Sequence, residues 1–112
     1  MPYPQIEPEQ IKVYPLGQRN SKSPIKKIAV APKAKFDPGT MAPGIDETVS
    51  RIKQARENGA AVILAFGAHL IKNGLAPIVI QLLQKGWITH VAGNGACGIH
   101  DWEFAWLGRS EE

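Results

Sequence analysis

The stretch that decides the fold is Ala60-Ala61-Val62-Ile63-Leu64-Ala65-Phe66-Gly67, answered one helix later by Trp87-Ile88-Thr89-His90-Val91-Ala92-Gly93. Residues 60–66 are apolar at every position, so the run lacks the two-fold alternation of a strand with one wet face. This predicts a central strand of a parallel sheet, covered on both faces, although periodicity alone leaves a buried helical segment open. Between the two runs, His69 to Asn73 reads as a short turn or half-helix stopped by Gly74, and Pro77 sits where a first helical residue belongs. Ile78 to Lys85 follows as a helix, apolar around most of its circumference and ended by Gly86. That crossover is long enough for a right-handed connection between parallel strands.

Working outward, Asp46 to Asn58 alternates charged and aliphatic residues, with Val49, Ile52 and Ala55 on one stripe and Glu47/Arg51 and Lys53/Glu57 spaced four apart. This predicts a surface helix capped by Asp46 and closed by Asn58-Gly59. Ile99 to Leu107 predicts another, with Asp101 and Glu103 in its first turn against the positive end of the helix dipole. The expected architecture is α/β with at least two parallel strands.

The first 44 residues differ in kind. Eight of the nine prolines lie there, which excludes a long helix or a central strand. Residues 1–44 are expected to form an extended Pro/Lys-rich arm, with Ile28-Ala29-Val30-Ala31 as one possible edge strand closed by Pro32. The core belongs to the domain over 45–112. Of 13 basic side chains, seven (Lys12, Arg19, Lys22, Lys26, Lys27, Lys33, Lys35) fall within 24 residues that hold no acid. Nucleic acid could use such a footprint, but stacking aromatics are nearly absent around it. A solvated lysine-rich arm is the preferred reading.

A single cysteine, Cys97, excludes an internal disulfide framework and zinc patterns built on paired cysteines, and no metal site is expected. The longest apolar run is far shorter than the roughly 20 residues of a membrane-spanning helix. The opening Met1-Pro2-Tyr3-Pro4 lacks the features of a secretory signal. A soluble, cytoplasmic protein is expected.

In an open parallel sheet ligands gather at the carboxyl ends of strands, where helix N-termini offer free N–H groups. Two such loops are expected, Gly67-Ala68-His69 and Gly93-Asn94-Gly95-Ala96-Cys97-Gly98. The second satisfies G-x-G-x-x-G, a spacing that admits a pyrophosphate but also serves tight turns. His100, Asp101 and Glu103 follow and could bind a cationic amine or move protons, or could simply cap a helix. His69 could contact a nucleotide or cap its turn. His90 reads as structural, Cys97 as a packing residue, Lys72 as solvated, and Trp102 and Trp106 as core or interface anchors rather than a stacking site.

The residues His69-Leu70-Ile71-Lys72-Asn73-Gly74-Leu75, then Gln81 to Ala92, then the small-residue loop and Asp101, resemble the deoxyhypusine synthase family. There an "Asn-Leu-Ile-x-x-Gly" turn, a helix, a strand and a "Thr-Thr-Ala-Gly-Gly" loop followed by acids build half of an NAD site. The likeness is nearer to uncharacterised bacterial relatives with "Tyr-Pro-Leu", "Gly-Ala-His-x-Ile-Lys" and "Asn-Gly-Ala-x-x-Ile-His-Asp" segments, here Tyr14 to Leu16, Gly67 to Lys72 and Asn94 to Asp101. It covers most of the chain, and residues 67–105 are its specific part.

The resemblance implies a Rossmann-like parallel sheet with flanking helices, incomplete in this chain, and a homo-oligomer that binds NAD. The implied activity oxidises a polyamine and passes its aminobutyl group to a lysine. By position Gly67, Ala68, His69, Asn94, Gly95 and Ala96 would line the dinucleotide, and His100, Asp101 and Glu103 would lie near the amine. His69 stands in place of the family's asparagine, Gly93-Asn94 in place of its paired threonines, and Ile99-His100 in place of adjacent glutamates. No residue matches its imine-forming lysine. The expectation is therefore an amino-terminal portion of a deoxyhypusine-synthase-like protein, inactive alone. The alternative is a non-catalytic α/β module that binds a ligand or partner.

Overall fold

A computed structural model describes residues 3–111 as a mixture of helices and short strands, compatible with the α/β class. In chain order the elements are β1 (Ser23–Pro24), α1 (Ile25–Ile28), α2 (Ala42–Glu57), β2 (Ile63–Phe66), α3 (Ala68–Lys72), α4 (Ala76–Gln84), β3 (His90–Gly93), α5 (Gly95–Leu107) and β4 (Arg109–Ser110). Three short 3-10 turns precede α2.

β2 and β3 pair in parallel with Ile63 opposite His90 and Phe66 opposite Gly93, joined through α3 and α4. Thr89 starts the pairing. Its N–H donates to the Val62 carbonyl at 2.9 Å, and its hydroxyl accepts from Val62 N–H at 2.9 Å. Each helix of this unit ends as its glycine dictates. After α2, Gly59 N–H reaches the Arg56 carbonyl and Ala60 N–H the Ala55 carbonyl. The same paired closure recurs at Gly74 and Gly86.

Helix boundaries depart from the sequence reading at their starts. α2 begins at Ala42-Pro43 rather than at Asp46, because proline is tolerated in a first turn, where its missing N–H has no partner to lose. Asp46 therefore lies inside the helix and caps nothing. α5 begins at Gly95, with Asn94 as cap, so Asp101 and Glu103 fall beyond the first turn and are not dipole complements.

The expectation of a strand buried on both faces is also corrected. Along β2, Leu64 and Phe66 are half-buried while Ile63 and Ala65 are exposed, and every residue of β3 is exposed. α3, α4 and α5 gather on the Phe66 side, where Ile71, Cys97 and Phe104 form the core with Phe66, Leu70 and Ala76. None of the described residues buries the opposite face. Trp102 and Trp106 are likewise not core: they lie 51% and 71% exposed, because Cys97 and Phe104 turn the other side of α5 inward.

The proline-rich stretch forms no long element, as its composition requires, yet part of it is docked rather than free. Ile25 and Ile28 pack against the core, and Val30 N–H bonds the Gly74 carbonyl at 2.9 Å. Ile28-Ala29-Val30-Ala31 forms no strand. The edge pairing is made instead by β1, antiparallel to β4, with Ser23 opposite Ser110. Gly74 allows this crossing on two counts. Its φ is +75°, and a side chain there would lie 2.1 Å from the Ile28 carbonyl oxygen.

Candidate functional site

Because β2 and β3 are parallel and end level, the segments leaving them turn together. A side chain added at Gly67 would meet Asn94 Nδ2 at 3.5 Å, which sets the two turns side by side at one end of the sheet. Gly67 caps α3 and Asn94 caps α5, so two helix N-termini open toward the same space. The leading N–H groups of each helix have no partner within it. The residues brought together are Gly67, Ala68, His69, Asn94, Gly95 and Ala96, with His69 and Asn94 exposed.

The expected glycine loop is not a loop. β3 continues through Gly93 and α5 starts two residues later. Asn94 accounts for this: its Oδ1 accepts Cys97 N–H at 3.2 Å, and the Cys97 thiol donates to the Asn94 carbonyl at 2.8 Å. Cys97 is thus buried as a plug beneath the turn, in keeping with its reading as a packing residue. Gly93 is required by it, since a side chain there would strike Cys97 Sγ at 2.4 Å. Gly95 and Gly98 are different, for added side chains would meet nothing within 4 Å. Two of the motif's three glycines therefore serve no packing need among the described residues.

His100 and Glu103 meet, but Asp101 is not brought together with them. Asp101 is exposed and lines an apolar cleft of about 300 Å³ between α4 and α5, beside Cys97, Gly98 and Val91. Glu103 is 1% exposed and sits on the other side of α5 in a polar knot. Its Oε2 accepts from the Ser110 hydroxyl at 2.7 Å and faces His100 Nδ1 at 3.1 Å, and its Oε1 lies 2.5 Å from Arg19. Arg19 also pairs with Glu111.

Burial pushes the Glu103 carboxyl up, but hydrogen bonds from Ser110, His100 and Arg19 outweigh it and hold the group below the usual carboxylate range. Hydrogen bonds to Glu111 and Glu103 raise the Arg19 pKa above its ordinary value, with burial opposing. Ser110 donates to Glu103, so its lone pairs face His100 Nδ1 at 2.9 Å, and that nitrogen carries the proton. The trio is no nucleophilic triad. Serine and carboxylate share one ring nitrogen, and Ser110 is 0% exposed.

Sequence reading missed Arg19, which lies 84 positions from Glu103 and 92 from Glu111, and Ser110, which folds back onto Glu103 only after the helix has ended. It also missed Arg56, whose guanidinium bonds the Gly86 and Ala60 carbonyls at 2.7 and 2.9 Å and ties the end of α2 to the turn that closes α4. His90 lies in β3, where its Nδ1 is 2.8 Å from Thr89 Oγ1. Lys72 ends α3. Among the described residues no three His, Cys, Asp or Glu side chains come together to hold a metal, and no helix is long and apolar enough to cross a membrane. No family model, curated protein or solved structure matches the chain.

Proposed function

We propose that the paired strand ends form the dinucleotide-binding part of a deoxyhypusine-synthase-like protein, holding NAD along Gly67, Ala68, His69, Asn94, Gly95 and Ala96. The observation that carries this reading is the abutment of Gly67 and Asn94 at level ends of parallel strands, which aims two helix N-termini at one space. The open room at Gly95 and Gly98 supports it, since that is where a pyrophosphate would approach the backbone.

The chain's own residues would then act in a definite order. Unpartnered N–H groups at the start of α5 and α3 receive the anionic bridge, and Asn94 fixes the angle between strand and helix. NAD, when bound, supplies hydride acceptance. Asp101, at the rim of the apolar cleft next to Gly98, is the carboxylate placed to receive an ammonium group, with the cleft taking the methylenes of a polyamine. His100 and Glu103 act through α5, whose C-terminal half they anchor, rather than on the amine. In a homo-oligomer, aminobutyl transfer or amine oxidation would need a lysine that this chain does not supply, so the chain alone is expected to bind without turnover.

Calorimetric titration of NAD tests the reading. The expected result is saturable binding to the wild-type chain and at least tenfold weaker binding to Gly95→Val, which keeps its fold because its new side chain meets nothing within 4 Å. Absence of saturable binding, or equal affinity in the variant, rejects it. NAD affinity with no response to any amine would instead favour the non-catalytic module.

A further inference from the structure

At the other end of the strand pair lies a groove of about 620 Å³ between α2 and the start of the sheet. Val49 and Ile52 of α2 face Val62, Ile63, Leu82 and Trp87 across it. Its volume lies within the range of small-molecule sites, and its walls are almost wholly aliphatic or aromatic. Two of these side chains stay in contact with water, Ile63 at 65% and Val49 at 43% exposure. An occupant with a hydrocarbon body would remove that contact.

The polar inventory of the groove sets the head group. Thr48 lines it, but its hydroxyl is spent on the Gly44 carbonyl at 2.7 Å. Lys53 is the one charged residue among those lining it, and it makes no ion pair among the described residues. The other two basic residues of α2 are engaged: Arg51 pairs with Glu47, and Arg56 holds the Gly86 and Ala60 carbonyls. An apolar trough with a single uncommitted ammonium at its rim complements a chain that carries one negative end. We propose that this groove binds an aliphatic carboxylate of medium chain length, hydrocarbon against Ile52, Ile63 and Trp87 and carboxylate toward Lys53. The site stands apart from the strand ends at Gly67 and Asn94, so it does not depend on the NAD reading.

Titrating octanoate, decanoate and dodecanoate below their micelle concentrations, with calorimetry or the fluorescence of a Trp102→Phe/Trp106→Phe chain that keeps Trp87 as readout, tests it. Affinity is expected to tighten about two- to fourfold per added methylene while the chain still fits. Decanoate should bind at least fivefold tighter than decyltrimethylammonium, and Lys53→Glu should reverse that order. Ile63→Arg, at an exposed position that leaves folding intact, should abolish binding of both. Lack of saturable binding, equal affinity for the two head groups, or indifference to Lys53→Glu would overturn the proposal. So would a dimer in sedimentation that Ile63→Arg dissolves while decanoate fails to bind, for the groove would then seat a second copy.

Discussion

The two faces of the β2–β3 pair are made of similar residues and have met different fates. On one, Phe66 packs into the core that Ile71 of α3, Ala76 of α4 and Phe104 of α5 complete, Leu64 is half-buried, and the N-terminal segment folds back to add Ile25 and Ile28. On the other, Ile63, Ala65, His90 and Ala92 remain in contact with solvent. Apolar sequence states that a surface would gain from cover, while the availability of a covering element decides whether it is covered. The difference also sorts the glycines. Those on the packed side, Gly74 and Gly93, are demanded by neighbours at 2.1 and 2.4 Å, whereas side chains added at Gly95 and Gly98, at the mouth of the strand ends, would meet none of the described residues within 4 Å.

The sharpest way to break the packed side is Gly74→Val. With φ at +75° and the Ile28 carbonyl in the way, it should cost about 3 kcal/mol and detach the N-terminal segment, read as a lowered urea midpoint and loss of protection at the Val30 amide. Next comes Glu103→Ala, expected to cost about 2 kcal/mol because Ser110 and His100 lose their buried acceptor. Here pH offers a second reading. A carboxyl held below its ordinary range is stabilising while ionised, so its contribution is full above that range and is lost as pH falls through and below it. Glu103→Gln should therefore show a shallower loss of stability between about pH 5 and 3 than the wild type.

Smaller effects sharpen the contrast. Gly95→Ala should leave stability unchanged or raise it by up to about 1 kcal/mol, as alanine is the better helix former and has room, while weakening NAD binding. A gain in stability joined to a loss of ligand is what a glycine kept for approach predicts. On the open side Ala65→Ser should change thermal stability by no more than about 0.5 kcal/mol.

What the residues disclose in advance is mostly local. The run 60–66, the glycine stops at Gly59, Gly74 and Gly86, and Pro77 after the half-helix locate the β-α-β unit, because strand propensity and left-handed caps act within a few positions. Helix starts were harder. Pro43 and Asn94 compete with Asp46 and Asp101 as beginnings, and the winner depends on whether the preceding turn can feed the helix. The paired ends at Gly67 and Asn94 were legible from strand order. The separation of Asp101 from His100 and Glu103 was not, because it follows from the rotation of α5 set by Cys97 and Phe104, from the return of the chain at Ser110 and from the long-range partner Arg19.

Backbone amide shifts of the isotopically labelled chain, followed as NAD is added, test the central claim most directly. The account predicts that Ala68, His69, Gly95 and Ala96 move first and saturate together, with the groove residues Ile52 and Ile63 unmoved. Shifts confined to other surfaces, or none at millimolar NAD, would contradict it.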